Sequence, residues 1–570
     1  MVVDPFTDTL TALDADTLAP RARFEVCRGP EQVIATPDGS VFVSCRHDRR
    51  VLALDPSLSP AGSVDVGPEP FGLAASRRGG WLYVTTAGDS KLHRLSARTL
   101  GLSFSHKLPP GARGVGVSDD GNVAIVAHLH GRSASLVDLR EGTVHKVRLP
   151  GKRDGGPGEL LDSTDLSALP ARQPGAAYAV AMSPGGTRAF VPYALRNPAV
   201  VGGVAMQEGV CGTSYGADTP LIASIGSIDL AKRWVQRPKL RDLPEDEWTY
   251  GDFMGMNHLS ELGVVRAAVH DPRRSRLLVA GEGSGLVLSF DTSTADPTAS
   301  PSTAWQLDGP ARGIAIDPSG RHAFVHLAID RQIAVLDLGA ANAGEEDDQE
   351  PRLIALSVER EPDAVERGRR LFYWAKDART SSVDGVGCSS CHLEGRSDGI
   401  TWALGDKVLQ TPILAGRVHT AGPYRWHGDS PNLGHAVAEA IQRLAGEGLP
   451  ANDNRDLVAF LRSSEPDIAL PGSERTATRR GQEVFEESGC ASCHDPDRGF
   501  TDGALHDFRG GQYRTPSLVG VSRSAPYYHD GSARSLRAVI DAHEPDNPMA
   551  VGRALDRADR RALLDYLQAL

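Results

Sequence analysis

Up to about residue 358, apolar and polar residues alternate one by one in short runs separated by Pro, Asp and Gly. Period-two alternation bounded by such turns is the mark of antiparallel strands with one buried face. One unit recurs: a strand of small apolar residues, a polar turn, an alternating strand, a second turn, and a third strand ending in Asp or Ser. It reads VIATPDGSVFVSC from Val33, GLAASRRGGWLYVTT from Gly72 and GVGVSDDGNVAIVAH from Gly114. It returns as AVAMSPGGTRAFVPY from Ala179, AAVHDPRRSRLLVAG from Ala267 and IAIDPSGRHAFVHLA from Ile314. A repeat of about 40–50 residues is the spacing of propeller blades. LTALDADTLAPRARFEV, from Leu10, has the pattern of the last two strands of one more blade, with its first two strands not identifiable. Closing the ring with it would protect edges that an open array leaves unpaired. The pattern predicts an all-β propeller of seven blades over residues 1–358. The stretches 151–175, 196–222 and 241–262 interrupt it and read as loops on one face, and the acidic run Glu345–Glu350 as a solvated loop.

From about residue 359 the apolar spacing lengthens to three and four, the period of amphipathic helices, and the segment repeats itself once. ERGRRLF (Glu366–Phe372) and RRGQEVF (Arg479–Phe485) each place Gly four residues before Phe. Each precedes a Cys-x-x-Cys-His pentapeptide, Cys388–His392 and Cys490–His494. TPILAGRVHTAGPYRWHGDSPNL from Thr411 answers TPSLVGVSRSAPYYHDGSARSL from Thr515, and DNRDLVAFLRS and ADRRALLDYLQAL close the two copies. Two mainly α-helical, cytochrome c-like domains in tandem follow, 359–465 and 466–570, with Pro466–Glu474 as the linker.

The pentapeptides carry the chemistry. Thiols three residues apart share one helical turn and can each add to a vinyl group of a haem, and the next histidine lies under the iron. Cys388, Cys391 and His392 would hold one haem c, and Cys490, Cys493 and His494 a second. A redox Cys-x-x-Cys pair or half a zinc site needs no histidine directly after the second cysteine in both copies. The remaining cysteines are Cys27, Cys45 and Cys211; Cys27 and Cys45 either bridge neighbouring strands or stay buried thiols, with Cys211 odd.

Composition narrows the rest. Hydrophobic residues make up 40% and charged residues 24%, as in ordinary soluble domains. A net charge of −12 argues against nucleic acid or an anionic membrane as partner, and no apolar stretch is long enough for a membrane span. Covalent haem is attached outside the cytoplasm, so a periplasmic or otherwise extracytoplasmic location is expected. The first twenty residues carry no basic start before an apolar run, which fits a trimmed chain or a misassigned start.

The C-terminal 210 or so residues resemble the bacterial di-haem cytochrome c peroxidase/MauG family. The resemblance is carried by both haem motifs, GFTDGALHDF from Gly499 and RTPSLVGVSRSAPYYHDGSARSLRAVI from Arg514. The strand repeat resembles the YVTN type of propeller and lies outside that family as a fusion partner. The family implies a second axial ligand fourteen residues after the histidine of PYxHDG, Met in peroxidases and Tyr in MauG-like members. Here His529 leads to His543, which implies a low-spin bis-histidine haem, unless Met549 takes that place. At the first haem, the family's displaceable distal histidine falls on Val408, and no histidine occurs between His392 and Thr411. The resemblance thus implies an open iron at the His392 haem, where hydrogen peroxide is handled. A distal acid–base group is needed there; the candidates are Glu439, Glu447, His435 and His427. Trp426 matches the tryptophan that relays electrons between the haems. Gln410, Ser524 and Pro526 lie near the positions that hold a calcium ion, the first off by one. Met254, Met256 and His258 offer soft-metal ligand types in a propeller loop, and His506 reads as structural.

The expected function is a di-haem oxidoreductase. It either reduces hydrogen peroxide with electrons from a donor protein or oxidises Trp or Tyr of a partner protein in MauG-like fashion. A non-enzymatic electron-transfer cytochrome with a propeller binding module is the alternative, and a propeller dehydrogenase finds no supporting constellation.

Overall fold

Alternation in the first part produces strands, and chain-consecutive hairpins produce the sheets. The computed structural model describes the chain apart from residues 15–16, 150–172, 199–219, 231–233, 237–258, 260, 272, 294–300, 340–349, 357–361, 384, 405–406, 464–471, 509 and 543–554. The described strands up to Ala355 form seven antiparallel sheets in chain order. Five have four strands each, within 30–65, 70–107, 112–148, 265–306 and 313–355. The fifth along the chain has five, including the nine-residue strands Arg188–Arg196 and Leu221–Asp229. The first has three: Thr9–Leu13 and Pro20–Glu25, legible in sequence, and the short Val2–Asp4, which was not.

The core lies between sheets, because each sheet has apolar residues on both faces and needs a neighbour on either side. Val43, Cys45 and Leu52 of the second sheet pack against Val3 and Leu10 of the first. Val2 and Leu13 of the first sheet, with Leu18 in its second turn, meet Ile333, Val335 and Ile354 of the last and Leu356 just after it. That contact closes the ring, and the propeller is seven-bladed. Cys27 and Cys45, with Cα atoms 5.8 Å apart, are joined by a disulfide beside the first-to-second sheet contact. Cys211, the Met254/Met256/His258 group, the acidic run up to Gln349 and most of the three long interruptions lie outside the described residues. The strand Gln173–Gly175 is an exception at the end of the first interruption.

The second compact unit holds the helices: α1 (Ala364–Tyr373), α2 (Leu433–Arg443), α3 (Ala451–Ser463), α4 (Gly472–Glu487), α5 (Leu536–Ala542) and α6 (Arg557–Ala569). Asp363 and Glu366 form a reciprocal capping box that starts α1. In the first half α1 crosses α3, with the Phe372 and Phe460 rings 5.3 Å apart. In the second half α4 crosses α6, with Phe485 and Tyr566 5.5 Å apart. The repeated glycine explains both crossings. A Cβ on Gly368 would lie 2.0 Å from the Asp456 carbonyl oxygen, and one on Gly481 2.1 Å from that of Ala562. Each half also has one short hairpin, Thr401–Leu404 with Lys407–Gln410 and Leu505–Phe508 with Gly511–Arg514. No helix among the described residues is long and apolar enough to cross a membrane.

Candidate functional site

Each pentapeptide begins on a single tight turn. Cys388–Cys391 is one turn of α-helix and Cys490–Ser492 one turn of 3-10 helix, so the paired cysteines face one side. Burial pushes the Cys388 and Cys490 thiols up to about 11. A redox Cys-x-x-Cys pair lowers its nucleophilic thiol instead, so these sites do not resemble one.

The histidines are oriented alike. His392 Nδ1 lies 3.1 Å from the Pro412 carbonyl oxygen, and His494 Nδ1 lies 3.1 Å from that of Phe500. With Nδ1–H donating to a backbone carbonyl, Nε2 keeps its lone pair, which is how a metal-binding imidazole is prepared. His392 keeps part of its surface open to solvent, yet the protein packed around it pushes its pKa down to about 4 and holds it neutral. Neutral imidazole is the ligating form.

The halves meet through a reciprocal pair of backbone hydrogen bonds. Gln410 N–H donates to the His529 carbonyl (2.6 Å), and Arg514 N–H donates to the Trp426 carbonyl (2.8 Å). Gln410 and Arg514 directly precede the Thr-Pro of their copies, and Trp426 and His529 occupy the same place in GPYRW and APYYH. The copies are therefore related by an approximate two-fold at this point. The two rings sit edge to face with centroids 6.5 Å apart. Trp426 is fixed by its Nε1–H, which donates to the Gln410 carbonyl at 2.8 Å. The Gln410 side chain reaches the Ser524 carbonyl at 2.7 Å, donating through Nε2, so two of the three calcium candidates touch. Pro526 follows two residues later.

A cleft of about 170 Å³ opens beside His494 and Cys490. Phe485, Leu518, Tyr527, Leu536, Ile540 and Leu567 make it largely apolar, and Trp426 stands in its wall. An apolar slot with a prepared imidazole and the Cys490 thiol at its edge fits a flat porphyrin. Tyr513 stacks on His529 with centroids 3.7 Å apart, and the His427 ring lies 5.0 Å from that of Tyr513.

The distal candidates separate. Glu439 accepts hydrogen bonds from Arg425 (2.6 Å) and the Ser430 hydroxyl, with His435 Nδ1 3.4 Å away. Burial works against its ionisation, but the Ser430 hydroxyl and the Arg425 guanidinium outweigh it and hold its carboxyl below the usual range. Arg443, at the end of the same helix, interacts electrostatically with Glu439 and with His392. His427 lies apart from them, its Nδ1 3.2 Å from the Gln512 carbonyl oxygen. Glu447 is exposed beyond α2, and Val408 is 53% exposed on its hairpin. His543 and Met549 lie outside the described residues. His506 pairs with Asp502 at 2.7 Å, and the Cys493 thiol is within reach of both. Sequence reasoning missed Arg417, Arg514 and Tyr513 in the cleft wall. Arg514 and Tyr513 are the two residues before the second Thr-Pro and Arg417 lies five residues after the first, and that nearness to the repeat was the available signal.

Residues 478–570 match the family model described as Cytochrome c. Hydrazine synthase subunit gamma of Kuenenia stuttgartiensis is 25% identical over 319 residues, spanning 43% of this chain and 90% of that protein. Methylamine utilization protein MauG of Methylorubrum extorquens is 27% identical over 248 residues, covering 32% of this chain and 68% of its own length. MauG of Methylophilus methylotrophus is 25% identical over 244 residues, covering 31% and 71%. Among solved structures, dihydro-heme d1 dehydrogenase NirN in complex with DHE aligns with a TM-score of 0.37 and 16% identity over 63% of each chain, too loose to carry an argument. The chain thus joins a seven-bladed propeller to a C-terminal cytochrome c domain with covalently bound haem c. It is related to MauG and to the hydrazine synthase gamma subunit, and is a haem c oxidoreductase.

Proposed function

We propose that the chain carries two cytochrome c-like domains, 359–465 and 466–570, each with one haem c, and uses hydrogen peroxide at the first. Haem c supplies one-electron redox chemistry and, where an axial position is open, a place for peroxide. The observation that carries the reading is that two like motifs have unlike surroundings. His494 opens on an apolar cleft walled by Trp426, which suits an electron-transfer centre with His543 as its second ligand. His392 lies in the field of Arg443, near the group of Arg425, Glu439 and His435.

At such a site Glu439 is a proton acceptor already ionised, and His435, 3.4 Å away, is a group that can pass a proton to it. His427 packs on Tyr513 instead and supports the wall between the halves. Trp426, held by the Gln410 carbonyl, is the relay for electrons from the second centre. A calcium ion held by Gln410, Ser524 and Pro526 would stiffen that contact, with oxygen ligands of the kind the ion prefers. The oxidising equivalents end either in a donor protein or in a Trp or Tyr of a partner, and the propeller is a surface for docking it. Covalent haem puts the protein in the periplasm or another extracytoplasmic compartment.

The test is stoichiometric peroxide added to the diferric protein, followed by optical and EPR spectra. A high-spin signal that converts to a long-lived oxidised species supports partner oxidation, and fast turnover with a reduced cytochrome supports peroxide reduction. Two low-spin haems that ignore peroxide would leave only electron transfer.

A further inference from the structure

Two cations stand in the wall of the apolar cleft beside His494. Arg417 comes from the first half and Arg514 from the second, and both line it. Arg417 Nε–H donates to the Val519 carbonyl at 2.7 Å, while its Nη2 is buried without a hydrogen-bond partner. Arg514 Nη2 donates to the Ala421 carbonyl at 3.1 Å and to the Thr420 hydroxyl at 3.4 Å, and its Nε is likewise buried and unmatched. Among the described residues, no carboxylate lies within ion-pair distance of either.

A guanidinium enclosed in an apolar wall without an anion is costly, since neither water nor a counter-charge replaces its hydration. Burial lowers both groups, Arg417 to about 10. The one titratable neighbour that acts on Arg417 is the Tyr527 phenol, which burial pushes up to about 12 and keeps neutral, while Arg514 feels the Tyr424 phenol and, from beyond ion-pair distance, the Asp502 carboxylate. A haem brings two propionate carboxylates, and a planar fork of N–H donors is suited to a carboxylate. The counterparts of Arg417 and Arg514 in the other copy are Val521 and Gln410, which are uncharged, so the arrangement belongs to one centre only.

We infer that Arg417 and Arg514 are the counter-ions of the propionates of the haem at Cys490–His494, and that this haem site is completed by a residue of the first half. The inference rests on the proposal that this motif carries haem. A fixed cation near the iron disfavours the more positive ferric state, so Arg417 raises the reduction potential of this centre.

The experiment uses the full-length holoprotein and the variants R417Q and R417K, with haem counted by pyridine haemochrome and midpoints read by optical redox titration. R417Q is expected to keep its haem and to lower the midpoint of the His494 centre alone, and R417K to recover most of the loss. A wild-type midpoint in R417Q would overturn the inference. So would equal falls in R417K and R417Q, which would mark a packing role. If R417Q does not fold, R514Q carries the same expectation. A C490A/C493A variant with undiminished haem would instead overturn the underlying haem assignment, whatever Arg417 does.

Discussion

The half ending at Ser463 and the half ending at Leu570 share a skeleton and differ in what clothes it. Tyr424 bridges Ser430 in one, and Tyr527 bridges Ala533 in the other, a shift of 103 residues. Under that shift Arg425, Ser430 and Glu439, a hydrogen-bonded ionic group, become Tyr528, Ala533 and Ala542. Trp426 becomes His529. One copy therefore carries a group that can hold and move a proton, linked to its motif through the charge of Arg443. The other opens its motif on a largely apolar and aromatic cleft, with Arg417 and Arg514 in the wall and the Asp502–His506 pair beside Cys493. Duplication supplied two equal frames, and substitution at a few positions made their chemistry unequal.

The largest test of the comparison is removal of each thiol pair. Cys388→Ala with Cys391→Ala, and Cys490→Ala with Cys493→Ala, are each expected to halve the haem per chain, read by pyridine haemochrome and intact mass. Loss from only one pair would leave a single haem and end the two-centre reading. Next in size are the glycines at the helix crossings. Gly368→Ala and Gly481→Ala each force a methyl onto a backbone carbonyl, and overpacking of that kind costs about 2–3 kcal/mol. Similar losses in chemical denaturation would support equal frames; an unperturbed variant would show that its helices can move apart.

The frame was legible in the sequence and the clothing was not. GRRLF and GQEVF announce a close crossing because spacing survives without partners. Blade alternation survives likewise, and six units were visible before any contact was known. The strand Val2–Asp4 has three residues, too few to display a period. Arg417 was invisible for another reason: a lone arginine after Leu-Ala-Gly says nothing until a cleft without a carboxylate surrounds it. The distal candidates were equivalent on paper. Folding sets Glu439 beside His435 and sends His427 to Tyr513, because α2 turns the first pair to one face while the loop before it carries His427 away.

Trp426 tests whether the contact between halves conducts. Trp426→Phe keeps an aromatic ring but removes the N–H held by the Gln410 carbonyl. The lost hydrogen bond is expected to cost about 1 kcal/mol of stability. If the indole is the relay, electron transfer between the centres should slow about tenfold, equivalent to about 1.4 kcal/mol of barrier. Stopped-flow reduction of the first centre through the second reads this directly. An unchanged rate at reduced stability would make Trp426 a packing residue.

The smallest effect is expected at Glu439, where pH gives the sign. Its carboxyl titrates below the ordinary glutamate value in the folded chain because Ser430 and Arg425 outweigh burial. A carboxylate so lowered contributes stability that is fully present above its unfolded value and is lost as pH falls through the folded one. The pair is partly exposed, with 27% and 29% of the Arg425 and Glu439 side chains accessible, so solvent screening limits the contribution to about 1 kcal/mol or less. Glu439→Gln should therefore lower stability slightly at pH 7, and the gap from wild type should close toward pH 3. The same substitution should slow any peroxide reaction at the first centre and leave the midpoint of the second in place. Glu439 would be only a strut if stability fell while the peroxide reaction stayed unchanged. The proton-handling contrast between the two halves would then rest on His435 alone.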